Sequence, residues 1–435
     1  MTLRLILVVC LMVTSTSAVI AQGPRPERPY RGLFRGGAQD QLGGSALTLD
    51  LSLGGGYDDN VFADAVGGTV TDTATWDSGV FGRVTAALTY TKETERASMG
   101  ATLATDARYF PDFETEFYGA HTASIGGELP LGRATRLRAD QVISYQPFLT
   151  LELFPSLSTP GVGISEPAAQ ENATPFDESI LYLTSVELSQ QTSRRGELTF
   201  SYDHELDDFA DTSDFRRQAV LGRYTHEISR GLGVRLGYGY SVGSFSGQRD
   251  QDQLRGHIID VGIDYDKALS LSRRTTLSFT TGTSAVSTLD GTRYGVIGDV
   301  HLNHEIGRTW NTSLAYARNV TFVRTFQEPF FSDSVGAEIS GLVTRRLEFD
   351  LTGAATFGTV GSGGGEDGFT TYGGSTSLTY GMTRHLALVA TYAYYRHSFE
   401  SGVTLPTGLS PEADRQSAAL ALAMWFPLYQ RFRSQ

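Results

Sequence analysis

The chain has 435 residues, a net charge of −13 and a single cysteine, and these values argue against several classes of protein. An acidic chain without a basic stripe is not expected to bind nucleic acid. The mean hydropathy is −0.17 and no run of about 18 apolar residues follows the N-terminus, so membrane-spanning helices are not expected either. The chain is instead rich in glycine, with 49 residues, and in tyrosine and phenylalanine, with 20 and 24.

Residues 1–21 have the pattern of a secretory signal peptide. Arg4 supplies the positive charge, residues 5–13 form the apolar centre, and Val19-Ile20-Ala21 is an acceptable cleavage site. Cys10 lies inside the apolar centre and follows a valine where a lipoprotein signal requires a small residue, so lipidation is not predicted. Cleavage would leave a mature chain without cysteine, and therefore without disulfides or thiol chemistry.

Residues 22–45 are predicted to form an N-terminal arm. They are rich in proline and glycine, a composition typical of flexible segments. Two interpretations stay open: a flexible periplasmic arm, which the composition favours, and a basic segment that enters a pore from below. The basic residues concerned are Arg25, Arg28, Arg31 and Arg35.

From residue 46 onward, apolar and polar residues alternate along most of the chain. Residues 334–360 show this best, because the alternation continues on both sides of a tight turn at Thr344-Arg345-Arg346. A period of two over this length fits β-strands whose two faces meet different solvents. We predict eighteen strands, at 47–57, 76–91, 97–110, 116–129, 135–146, 178–189, 197–206, 215–228, 232–243, 254–266, 275–286, 294–305, 310–323, 334–343, 347–360, 369–380, 385–397 and 415–426.

The predicted strands are joined by arginine-bearing tight turns about 40 residues apart and by longer Gly-, Asp- and Ser-rich loops between them. Each interval holds two strands, whereas a propeller blade needs about four. A sheet can cross hydrocarbon only as a closed barrel, because every backbone polar group must be bonded within the protein. We therefore predict that residues 46–435 form one all-β domain, a transmembrane antiparallel up-and-down barrel of 18 strands, with 16 as the alternative. A soluble two-sheet sandwich is less favoured, since it leaves the signal peptide and the aromatic strand ends unexplained.

The polar face of these strands predicts a charged inner wall. Either an aqueous lumen simply tolerates any polar residue, or an acidic wall faces a more basic one and ions cross a transverse field. The predicted pore-lining residues are Arg83, Arg136, Arg138, Arg235, Asp260, Asp264, Asp299, Glu338 and Asp350, with Arg108 and Arg216 assigned to the same face.

The third long loop, residues 147–177, is the longest in the predicted barrel. It is too apolar for a solvated loop, and long ordered loops are usually functional or packed. Its negative charges include Glu152, Glu166 and Glu171, which are predicted to line a constriction if the loop folds into the barrel. A lid packed over the mouth is the alternative.

No constellation of residues predicts catalysis, a cofactor or a metal. Asp58-Asp59, and His204 with Asp207-Asp208, are the acid and histidine groups considered, but aspartate pairs in loops are most often solvated turn residues. His301 and His304 lie three apart, which on a strand places them on opposite faces. The sequence therefore predicts a protein that is not an enzyme.

Three features together resemble the outer-membrane β-barrel porins of Gram-negative bacteria, in a branch often found with capsule or exopolysaccharide genes. They are the segment Gly56-Tyr57-Asp58-Asp59-Asn60-Val61-Phe62, the arginine-bearing turns, and an aromatic residue near the C-terminus. The chain departs from such barrels at this aromatic, because Phe426 is followed by nine further residues that include Phe432.

This resemblance implies an outer-membrane location with lipid as a partner and no cofactor. It implies passive diffusion of small hydrophilic solutes or ions through a water-filled lumen. The alternative is a structural or export barrel that assists the passage of a polysaccharide. The sequence allows an oligomer without requiring one.

Overall fold

The structure, a computed structural model, describes residues 32–35, 44–61, 78–94, 97–111, 117–147, 178–209, 214–246, 254–268, 274–288, 291–322, 326, 328–361, 367–406 and 409–432. The predicted signal peptide and most of the predicted arm lie outside these residues. Eighteen strands run through the described part, which confirms the predicted number and excludes sixteen. They are β1 (Gly44–Asp58), β2 (Gly79–Glu93), β3 (Ser98–Tyr109), β4 (Phe117–Pro130), β5 (Thr135–Gln146), β6 (Ser179–Gln191), β7 (Gly196–Phe209), β8 (Phe215–Ser229), β9 (Leu232–Phe245), β10 (Leu254–Ala268), β11 (Thr275–Thr288), β12 (Gly291–Ile306), β13 (Trp310–Phe322), β14 (Pro329–Leu342), β15 (Leu347–Val360), β16 (Gly368–Gly381), β17 (Leu386–Phe399) and β18 (Glu412–Phe432).

All eighteen strands belong to one antiparallel sheet that closes on itself. Each strand pairs with its neighbours in the sequence, and β1 pairs with both β2 and β18. The fold is the predicted up-and-down barrel, which removes the free edges that an open sheet would expose. None of the described residues belongs to a helix that could span a membrane.

Threonine hydroxyls close several of the tight turns at one end of the barrel. In the turn between β14 and β15, the backbone N–H groups of Val343 and Thr344 donate to the carbonyl oxygen of Leu347, at 2.9 and 3.1 Å. Thr344 Oγ1 accepts hydrogen bonds from the N–H groups of Arg346 and Leu347, at 3.2 and 3.0 Å. The turn that begins at Thr383, between β16 and β17, has the same backbone pattern. Short-range threonine bonding of this kind is a common turn chemistry, and it leaves the arginine side chains free to point away.

Contacts between non-adjacent strands identify the inner face of the barrel. Arg223 Nε on β8 lies 2.6 Å from Asp260 Oδ2 on β10, and the rings of Phe330 on β14 and Phe399 on β17 are 6.5 Å apart. Side chains can reach over an intervening strand in this way only on the concave side. From these contacts, the pairing register assigns inner and outer rows on all the remaining strands.

The outer rows form a largely apolar surface around the barrel. On β7 and β8 they include Phe200 and Val220, exposed at 52% and 51%. On β12, Val300 lies on the outer row, while Asp299 and His301 lie on the inner row. So much exposed apolar area would be costly in water, at roughly 25 cal/mol per Å². Apolar-out, polar-in alternation in a closed barrel is the arrangement that hydrocarbon requires. The chain is a transmembrane β-barrel. Other members of the outer rows are Leu53, Val84, Leu103, Leu236, Val261, Leu351 and Leu420.

Two places depart from a regular ladder. Between β10 and β11 the register shifts, so that residues 260–264 of β10 lie opposite the shorter stretch 280–282 of β11. Between β12 and β13 the pairing begins at Gly298 and Arg318, although both strands continue towards the long-loop end. Residues 291–297 therefore pair with β11 alone within the described register, and a cavity of about 200 Å³ lies at this opening.

Candidate functional site on the inner wall

The densest group of charges on the inner wall surrounds Arg235 of β9. Arg235 Nε donates to Asp260 Oδ1 at 2.5 Å, its Nη1 donates to Asp264 Oδ1, and its Nη2 donates to the carbonyl oxygen of Thr281 at 2.8 Å. Arg223 Nε donates to the other oxygen of Asp260, at 2.6 Å. The register shift in β10 explains this geometry, because the bulged segment carries both aspartates towards one arginine. Asp260 is buried, and the side chain of Arg235 is 9% exposed.

Arginines on the early strands have acidic partners as well. Arg83 of β2 holds Asp106 of β3 through two bonds of 2.8 Å, from Nε and Nη2 to the two carboxylate oxygens. Arg108 lies 3.7 Å from the same carboxylate, with its guanidinium 5.8 Å from the ring centre of Phe81. Bidentate pairing of this kind fixes both position and orientation of the arginine.

The two predicted arginines of β5 lie nearer the short-turn end and are held differently. Arg138 Nε donates to Asp140 Oδ2 on its own strand at 2.6 Å. Arg136 is the more exposed of the two and lies 3.8 Å from Glu128 on β4. The register places Arg136, Arg138 and Asp140 on one inward row.

Acidic residues predominate on the inward rows of β12 to β15. Asp299 accepts a hydrogen bond from the hydroxyl of Thr280 and lies 3.6 Å from His301 Nε2, and Glu338 Oε2 lies 3.3 Å from Ser313 Oγ. Asp350 stands opposite Ser340 in the ladder. β12 begins earlier than predicted, with Arg293 opposite Val286 in the backbone ladder. Glu305 and Glu348 complete the acidic set.

The predicted transverse field needs correction in two respects. The sequence predicts Arg216 on the inner face, but it stands opposite Leu206 on the outer row and is exposed, whereas Arg217 and Arg223 point inward. In addition, Arg223 and Arg235 pair with aspartates one or two strands away rather than facing an opposite wall. Charge on the inner wall is therefore largely balanced locally.

The segment that carries the porin resemblance closes the barrel. Asp58, at the end of β1, accepts bonds from Arg415 of β18, with Nε 3.0 Å from both carboxylate oxygens and Nη2 2.6 Å from Oδ2. Asp59 Oδ1 accepts from the N–H of Gln416 at 2.5 Å, and Asn60 Nδ2 donates to the carbonyl oxygen of Asp414 at 2.8 Å. These three consecutive residues fasten the first strand to the last. Asp58 therefore stabilises the closure of the barrel, and no pattern in the sequence indicates Arg415 as its partner.

Inward aromatic residues gather at the long-loop end instead of lining an open path. Phe81 and Tyr118 pack with Phe110, with ring centres 5.6 and 5.7 Å from the ring of Phe110. A second cluster joins Phe330 and Tyr395 with Phe326, Val360, Phe369, Phe399, Val403 and Leu409. Both clusters are buried, so the rings pack against one another and not against a passing solute.

The remaining predictions concern the constriction loop, the pair His301 and His304, and a metal site. Glu152, Glu166 and Glu171 of the predicted constriction loop lie outside the described residues. His301 is on the inner row of β12, while His304 is on the outer row and is bonded to Thr275 at 2.8 Å, so the two do not share a face. Among the described residues, no group of three or more His, Cys, Asp or Glu side chains could hold a metal ion.

Comparisons with known proteins give structural neighbours alone. No protein-family model matches the sequence, and no curated protein does. Similar solved structures include OpdQ of Pseudomonas aeruginosa, at 10% identity and a TM-score of 0.44 over 88% of this chain and 98% of that one. Pseudomonas aeruginosa OccK2 (OpdF) in complex with glucuronate has 10% identity and a TM-score of 0.46 over 89% and 100% of the two chains. Acinetobacter baumannii OccAB4 has 10% identity and a TM-score of 0.44 over 89% and 99%. Identities near 10% and TM-scores below 0.5 do not assign a function, so the function is inferred from the inner wall of this chain.

Proposed function

We propose that the protein is an outer-membrane channel through which small hydrophilic solutes and ions diffuse passively. One observation carries this proposal: the barrel is closed and apolar outside, yet its inward rows are polar and charged. A polar lumen bounded by a lipid-facing wall holds water, and passage through it needs no chemistry. Antiparallel barrels of even strand number are the form taken by single-chain bacterial outer-membrane proteins, and the predicted signal peptide agrees with that destination.

The charge of the wall favours cations. Arg83, Arg138, Arg223, Arg235 and Arg415 are each bonded to a carboxylate at 3.0 Å or less, so their positive charge is compensated where it stands. The inward rows of β12 to β15 are mainly acidic, which leaves a negative potential along that side of the lumen. A ring or wall of carboxylates concentrates cations and repels anions in a narrow pore.

Conductance of the purified protein in planar lipid bilayers tests the proposal. The expected result is discrete single-channel steps and, across a KCl gradient, a reversal potential of the sign that K⁺ selectivity produces. Replacing Asp299→Asn together with Glu338→Gln should move the reversal potential towards zero without closing the channel. Asp333→Asn, on the outer row, is the matched control and should leave the potential unchanged. Absence of ion steps, or an anion preference, would contradict the proposal.

The alternative of a polysaccharide export barrel receives no support from the aromatic residues. Sugars bind to exposed aromatic faces, but Phe81, Tyr118 and Tyr395 are exposed at 5%, 5% and 3% and are packed against other side chains. The channel proposal is therefore the one that the described inner wall favours.

A further inference from the structure

Residues Gly32–Arg35, which we call the strap, lie against the short-turn end of the barrel. The N–H of Leu33 donates to the carbonyl oxygen of Arg345 at 2.7 Å, and the N–H of Arg35 donates to the carbonyl oxygen of Arg384 at 3.0 Å. The two acceptors occupy equivalent positions, each directly after the threonine that closes its turn. Two repeated turns thus present two carbonyl groups, and the strap bonds to both.

A side chain ties the strap to the other side of the barrel seam. The guanidinium of Arg35 forms an ion pair with the carboxylate of Asp50 on β1, and it lies 5.4 Å from the ring centre of Phe34. Asp50 stands opposite Trp425, whose N–H donates to the carbonyl oxygen of His385 at 3.0 Å, so Asp50 is level with the turn that Arg35 contacts. Arg35 has a φ of 56°, a left-handed conformation that a residue with a side chain adopts only where surrounding contacts hold it.

The strap lies inside the mouth and not beneath it. A β-carbon added at Gly381, on the inward row of β16, would stand 3.1 Å from the nitrogen of Phe34. One added at Gly32 would stand 3.2 Å from Leu342 and 3.9 Å from a carboxylate oxygen of Glu348, both on inward rows. The glycine at 381 leaves the room that Phe34 occupies, so the inner wall is shaped to accept the strap.

We propose that the strap is a built-in constriction of the periplasmic mouth, which narrows the opening and neutralises the carboxylate of Asp50 through Arg35. The proposal rests on the proposed channel function. It also assigns a place to part of the N-terminal arm, in line with the basic segment entering from below. Release of the strap would widen the mouth and expose its negative charge, so both conductance and cation preference should rise.

A reversible cross-link gives the test. In the full-length protein, Leu33→Cys and Arg345→Cys place thiols on two residues joined by a backbone hydrogen bond, in a mature chain expected to have no other thiol. Arg35→Ala is added to remove the tie to Asp50. The reduced triple variant should show a larger single-channel conductance than the unmodified protein. A short bis-methanethiosulfonate linker should return the conductance to the unmodified level, and dithiothreitol should raise it again.

A control variant distinguishes the effect of releasing the strap from the effect of losing positive charge at that end of the barrel. Arg133→Ala removes an exposed arginine from the turn between β4 and β5 at the same end and should change neither conductance nor selectivity. The proposal is overturned if the two thiols do not join, or if the joined and reduced forms conduct alike. A barrel whose thiols join but which conducts no ions in any variant overturns the channel itself, and the constriction with it.

Discussion

Asp58 and Arg415 form an ion pair in which both side chains are almost fully buried, at 1% and 9% exposure. A buried carboxylate and guanidinium are each costly to remove from water, and their mutual attraction offsets that cost only while both are present. The pair also lies at the one seam where strands distant in sequence must meet, β1 with β18. Its position makes it a determinant of barrel closure.

Removing one partner of this pair should therefore be strongly destabilising. Arg415→Met leaves Asp58 buried without its main partner, and we expect the free energy of unfolding to fall by about 3–5 kcal/mol. Urea unfolding of the protein folded in liposomes measures this. Arg136→Met, which breaks an exposed pair with Glu128, is the matched control and should cost less than about 1 kcal/mol.

A double variant separates the ion pair from simple loss of packing. Asp58→Leu combined with Arg415→Met removes both charges together. Its destabilisation should be smaller than the sum of the two single changes, because no uncompensated charge is left. Additive effects would show that the two residues act independently and that the seam is held by its backbone bonds.

At the level of single strands, β12 presents its two faces to different solvents. Val300 is on the outer row, and Asn303, three residues further, is on the inner row. Val300→Arg should lower the free energy of unfolding in liposomes by about 2–4 kcal/mol if the residue lies near mid-membrane, whereas Asn303→Arg should be tolerated. Equal costs at the two positions would contradict the assignment of faces.

The unpaired end between β12 and β13 leads to a second prediction at the level of strands. Backbone groups of residues 291–297 that point away from β11 have no strand partner in the described register. Such groups are costly in hydrocarbon, so we expect this end to reach the water at the outer rim. Hydrogen exchange followed by mass spectrometry should show faster exchange over 292–297 than over residues 387–396 of β17, which pair on both sides. Equal protection of the two segments would indicate that the gap is closed in the membrane.

Strand number and facing could be predicted because a period of two is written directly into the sequence, as it is in residues 334–360. Near the rim, where neighbouring residues are all polar, it is harder to predict which of two neighbours faces the lumen. Arg216 and Arg217 are an example, since polarity alone does not decide between them. Val220 and Tyr224 do decide, because they continue the outer row of β8 into the apolar band. Ion-pair partners such as Asp58 and Arg415 were not predictable, since they depend on register between strands far apart in the chain.

For the molecule as a whole, the inner wall combines locally compensated arginines with a mainly acidic side. The strap adds Arg35 at the periplasmic mouth, where this arginine forms an ion pair with Asp50. The described residues therefore account for charge at the wall and at the lower mouth. That the third long loop, residues 147–177, controls the outer mouth stays a prediction, because residues 148–177 lie outside the described residues.

We expect that loop to fold inward and narrow the lumen, as predicted from its length and apolar content. Deleting residues 151–171 should then increase single-channel conductance and reduce cation preference, because both bulk and negative charge are removed. The triple change Glu152→Gln, Glu166→Gln and Glu171→Gln separates the two effects: it should reduce cation preference while leaving conductance nearly unchanged. If the deletion alters neither property, the loop is no constriction, and its apolar residues pack as a lid over the outer mouth.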